Sequence, residues 1–112
     1  MFSIVISSAH LSTTEALLRE KFEQLDLGEF TLDIKHSQCK GRDCLKVFIH
    51  FSTMTAEAHK LRERLIENDM AQKAGERFDP VKIIYEQSRG RERYWTLYLA
   101  QSQETFKVRI EL

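Results

Sequence analysis

Along Cys44–Phe51, reading C-L-K-V-F-I-H-F, a lysine, a phenylalanine and a histidine recur at every second position: Lys46, Phe48 and His50. Side chains of an extended strand alternate between faces, so these three share one side with Cys44, while Leu45, Val47, Ile49 and Phe51 share the other. The second side is pure core. On the first, the ring of Phe48 could stack a nucleobase, with Lys46 contacting a phosphate and His50 at the border. Lys35, Lys40, Arg42 and Lys46 stand against Asp43 around the polar stretch that precedes this strand, and Arg89, Arg91 and Arg93 form a further basic cluster diluted by Glu86 and Glu92. Flexible cations suit phosphate because neutralising it releases condensed counterions. Any one such cluster also fits an ordinary solvated loop.

Other chemistries find less support. His36, Cys39, Cys44 and His50 are soft ligand types near one loop, yet structural zinc normally shows paired ligands at tighter spacings, so no metal is expected. Two cysteines do not make a disulfide scaffold and read as free thiols. The chain has no Gly-rich phosphate loop, nucleophile elbow or His-Glu-x-x-His helix, and His10 and His59 have no evident activating partner. The expectation is a protein that is not an enzyme and needs no cofactor.

The elements that must position these residues follow from periodicity. Phe2–Ser8 alternates as a half-buried strand and breaks at Ser8-Ala9-His10. Ser12-Thr13-Thr14-Glu15 has the form of a capping box, with Leu11 as its staple, and starts a helix near Thr13. Leu18, Phe22 and Leu25 make that helix's apolar stripe, and Gly28 ends the segment. Phe30–His36 is a second strand, Ser37–Asp43 a polar loop and Cys44–Phe51 the central strand. Met54, Ala58, Leu61 and Leu65 mark a second helix running to about Asn68, with an irregular extension towards Ala74. Val81–Glu86 and Tyr94–Ala100 form a hairpin around a long polar turn, Gln87–Arg93. Trp95, Leu97 and Leu99 face the core, leaving Tyr94, Thr96 and Tyr98 opposite. Thr105–Leu112 alternates again as a final strand. The order predicts an α+β sandwich of ferredoxin-like type, β-α-β-β-α-β with an extra hairpin strand, two helices covering one face of an antiparallel sheet.

Length and charge bound the function. The 112 residues, 42% hydrophobic and 30% charged, suffice for one core. Lysines and arginines balance aspartates and glutamates at 17 each, so a polyanionic partner must be met by a local patch. No apolar run approaches the roughly 18 to 20 residues of a membrane span, and Met1–Ile6 is too short and not basic enough for a signal peptide. An intracellular protein without membrane contact is expected.

Ser12–Phe22 followed by Leu25 and Gly28, the strand Cys44–Phe51, and Val81–Glu86 followed by Tyr94-Trp95 together resemble the RNA recognition motif (RRM) family. More narrowly, they are similar to small RRM-like proteins encoded by large DNA viruses of eukaryotes. The resemblance spans roughly Phe2–Gln101 and implies an RRM-like domain over residues 1–101 with a tail, residues 102–112. The family's octamer starts with a basic residue and glycine and has aromatics at its third and fifth places. Here Cys44 and Leu45 start it, Lys46 takes the third place and Phe48 the fifth, while Val5 stands for the first strand's aromatic. Tyr98 could restore a platform member. The implied function is single-stranded nucleic acid binding, RNA above all, through Lys46, Phe48 and Tyr98 on the sheet and Lys40 and Arg42 in the loop. The alternative is a protein-interaction or assembly component, of a viral particle or a homodimer, with its sheet covered by protein. The resemblance sets the location as the nucleus or cytoplasm of a host cell, or the virion.

Overall fold

The computed structural model describes residues 2–100. In chain order these form β1 (Phe2–Ala9), α1 (Glu15–Gln24), β2 (Phe30–Cys39), β3 (Arg42–Phe51), α2 (Ala56–Lys73), β4 (Val81–Ser88) and β5 (Arg91–Leu99). The architecture is α+β, with one open sheet in the order β2-β3-β1-β5-β4 and every neighbouring pair antiparallel. The tail strand expected over Thr105–Leu112 lies outside the described residues.

The core is built from one face of that sheet. Phe2, Ile4 and Ile6 of β1, Leu45, Val47, Ile49 and Phe51 of β3, and Trp95 and Leu97 of β5 are buried together with Leu18 and Phe22 of α1 and Ala58 and Leu65 of α2. Trp95 stacks between Tyr85, 4.5 Å away, and Phe22, 6.3 Å away. Its buried Nε1 has no hydrogen-bond partner among the described residues. An orphaned donor of this kind costs about 1–3 kcal/mol, which the burial of the largest side chain in the protein outweighs.

Both helices begin on a threonine. Thr14 is extended and its hydroxyl accepts from the Leu17 N–H at 3.2 Å, and Thr55 does the same for Ala58 at 3.2 Å. The predicted box at Ser12 is not made, because the Ser12 hydroxyl turns back to His10 Nδ1 at 2.7 Å and Leu11 is exposed. At the other end α1 stops at Gln24, before the predicted Leu25, which is 38% exposed; Leu27 takes the core position. Gly28 is not the helix cap. It has φ +123° and lies so close to the start of α2 that a Cβ would run into the Thr53 carbonyl oxygen. Around it the two loops are sewn together: Glu29 N–H donates to Thr53 Oγ1 at 2.8 Å, and Thr55 Oγ1 to the Asp26 carbonyl at 2.7 Å.

Both hairpins are tighter than predicted. β2 and β3 stay paired up to Cys39 and Arg42, leaving only Lys40-Gly41 as the turn, and β4 and β5 stay paired up to Ser88 and Arg91 around Arg89-Gly90. All four turn residues have positive φ, 53° and 80° in the first and 44° and 78° in the second. Two consecutive positive φ values are the mark of the type I′ turn, whose twist matches that of the flanking strands.

This extension also overturns the reading of free thiols. Cys39 stands opposite Arg42 and Cys44 opposite Ser37, so the cysteines are diagonal neighbours on one face; their Sγ atoms are 2.02 Å apart, in a disulfide with Cα atoms 6.0 Å apart. Cys39 Sγ is also 3.5 Å from the Ser7 carbonyl oxygen. In a disulfide that sulfur carries no proton, so the approach is a packing contact.

Candidate nucleic-acid interface

The face of the sheet turned away from the helices carries the alternate residues. Register aligns Asp33, Phe48, Val5 and Tyr98 in a single row across β2, β3, β1 and β5. Phe48 and Tyr98 are half-buried, and Val5 between them is only 4% exposed. Two strand spacings separate the rings' backbones, about 9.6 Å. The row is thus two aromatic side chains across a small apolar one.

Phe48 is flanked by charge. Lys35 Nζ lies 5.4 Å and Lys46 Nζ 5.6 Å from its ring centroid, within cation–π range. The two lysines are directly opposed on β2 and β3, an arrangement that is unfavourable in a sheet because like charges repel. Asp33 relieves part of it, 3.5 Å from Lys35. His50 completes the group: its ring is parallel to that of Phe48 at 6.2 Å, held by a 2.7 Å hydrogen bond between Nδ1 and the buried Ser3 hydroxyl. A stacked base would therefore meet a ring whose orientation is braced on one side and two ammonium groups on the other.

Beside this row the sheet parts. Pairing of β1 with β5 ends at Ile6 and Leu97. A cavity of about 620 Å³ is bounded there by Ser7, Lys46 and Tyr98 and, from α2, by Asn68, Gln72 and Lys73. Lys73 is partnered by Asp69 at 3.0 Å.

The five residues singled out by sequence fall into two groups. Lys46, Phe48 and Tyr98 come together on the open face. Lys40 and Arg42 do not join them, for they sit exposed at the β2–β3 tip, with Arg42 about 20 Å along the strand from Phe48 at about 3.3 Å per residue. What shares their end of the molecule is the β4–β5 tip with Arg89 and Arg91. Sequence reasoning placed those arginines in the long polar turn of a hairpin; the signal that locates them is the Arg-Gly dipeptide between two strand patterns, which parallels Lys40-Gly41. Lys35, grouped by sequence with the loop, belongs instead to the surroundings of Phe48.

No helix among the described residues is long and apolar enough to cross a membrane. No protein-family model, curated protein or solved structure matches the chain.

Proposed function

We infer that this chain is a non-enzymatic module of RRM-like type that binds single-stranded nucleic acid, RNA first, on its open sheet face. The observation that carries this reading is the row Phe48–Val5–Tyr98 with the Lys35 and Lys46 ammonium groups 5.4 and 5.6 Å from the Phe48 ring. Aromatic rings two strands apart offer stacking surfaces, and cations beside them suit the intervening phosphates. The fold lends the reading partial support: the observed order β2-β3-β1-β5-β4 is not the four-strand order of an RRM, and it matches the ferredoxin-like order 2-3-1-5 only with β4 set aside as an added edge strand. A location in the virion suits the Cys39–Cys44 disulfide better than a reducing cytosol does.

Stacking is worth about 1–3 kcal/mol per base, so Phe48→Ala should weaken binding to a labelled single-stranded RNA by about 5- to 150-fold in fluorescence anisotropy. Lys46→Ala should flatten the dependence of log affinity on log salt by about 0.7. Wild-type affinity and slope in both variants would remove the sheet face from the account.

A second reading, a protein-interaction or assembly component, has one feature in its favour. β2 is an edge strand of ten residues, Phe30–Cys39, whose outer side pairs with no other strand among the described residues. Such an edge can accept a strand from another chain.

A further inference from the structure

The two hairpin tips are built alike. Cys39-Lys40-Gly41-Arg42 and Ser88-Arg89-Gly90-Arg91 each turn on a cation, a glycine and an arginine. In both, the first cation occupies the left-handed region, φ 53° at Lys40 and 44° at Arg89. Type I′ turns favour Asn, Asp or Gly at that position; a long side chain with an ordinary Cβ costs about 1 kcal/mol or more there. Strain repeated at two separate tips, each time for a cation, points to a use for the charge.

The ladders also bring the tips to one end of the sheet. Ala9, the last residue of β1, stands opposite Leu45, and β3 extends beyond it to Arg42. β5 last pairs with β1 at Leu97, opposite Ile6, and extends in the same direction to Arg91. Only β1 lies between the hairpins, so where the sheet is continuous their midlines are about 14 Å apart, three strand spacings. Lys40, Arg42, Arg89 and Arg91 are all exposed, and none is within salt-bridge distance of a carboxylate among the described residues. Arg93, by contrast, is engaged by Glu86 at 3.8 Å.

We propose that the two tips act as a pair of phosphate contacts that hold the phosphodiester backbone of one nucleic acid molecule at two points, about 20 Å from the stacking row. The proposal rests on the nucleic-acid reading but uses residues that reading does not need, Arg89 and Arg91. The tips offer charge without aromatic rings, so they recognise backbone and not base, and single and double strands share that chemistry. The disulfide braces one tip at its base; the other relies on its turn alone.

The test removes the charge without harming the turn. Lys40→Asn with Arg89→Asn replaces each strained cation by the residue the turn prefers, so the thermal midpoint should hold or rise. Binding is followed by anisotropy between about 50 and 200 mM salt, on single-stranded RNA, single-stranded DNA and duplex DNA of about 20 nucleotides. The slope of log affinity against log salt should become shallower by about 1.4 on single strands or about 1.8 on duplex, with Arg89→Asn alone giving half of the change. Loss on either form supports the proposal and names the form held. Unchanged slopes on every form, with Phe48→Ala still weakening binding, would overturn the paired tips and leave the sheet-face reading standing. Absence of binding by the wild-type protein to any form would overturn both.

Discussion

Lys35 and Lys46 face each other across β2 and β3 and share the Phe48 ring. A sheet optimised for stability would place an acid opposite one of them. Asp33 and the Phe48 ring that both ammonium groups approach offset part of this repulsion, and in the proposed function that ring is the surface on which a planar base would stack. The disulfide is the other residue-scale feature. Its loop is short, with the cysteines five positions apart in sequence, and closing a loop of that size contributes about 2 kcal/mol in the chain-entropy account. Reduction by a dithiol, or Cys39→Ser with Cys44→Ser, should lower stability by about that amount, read as a shift in the urea midpoint at constant slope. A midpoint that does not move would mean that the type I′ turn alone sets the tip. Sequence spacing did not reveal this bond, because it depends on β2 and β3 remaining paired through Ser37–Asp43. A polar composition reads as loop, whereas a Lys-Gly turn makes it a ladder.

At the scale of elements, the end of the sheet opposite the tips is held by the junction of the α1–β2 and β3–α2 loops. Gly28, Glu29, Thr53 and Thr55 make it, and Gly28 is required twice over, by φ +123° and by the Thr53 carbonyl oxygen. Gly28→Ala should cost about 3 kcal/mol, the sum of backbone strain and displacement of a hydrogen-bonded loop. Gly90→Ala, at φ +78° with nothing nearby for a Cβ to meet, should cost only about 1 kcal/mol. Equal costs in urea denaturation would contradict the role given to close approach. The existence and order of the elements were legible from alternation and from the spacing of Leu18 with Phe22 and of Ala58 with Leu65. Their ends were less so. Ser12, with Glu15 three residues on, fits the capping pattern better in sequence than Thr14, which has Leu17 there, and only the hydrogen bonds of the two hydroxyls decide between them. Gly28, read as a helix terminator, is present because of a residue 25 positions further on, a tertiary cause that no local pattern carries.

For the molecule as a whole, equal numbers of acids and bases, 17 each, mean that any attraction for a polyanion comes from placement. The fold supplies placement in two ways. Alternation gathers Lys35, Lys46, Phe48 and Tyr98 on the side of the sheet that the helices leave open, and the two hairpins carry four exposed cations to one end. The first was legible from the strand pattern once Phe48 and Tyr98 were set on the outward phase, although their common row depends on the β1 register. The second was not, because the mutual orientation of the tips depends on β1 standing between β3 and β5. The central claim is that the row Phe48–Val5–Tyr98 is where a nucleic acid strand lies. Its most direct test is a titration of isotope-labelled protein with a short single-stranded RNA, followed residue by residue through backbone amide resonances. The account predicts saturable shifts centred on Val5, Lys46, Phe48 and Tyr98, with the helical side of the sheet unmoved. Shifts confined to α1, α2 or the outer edge of β2, or none at all with the protein folded, would contradict it.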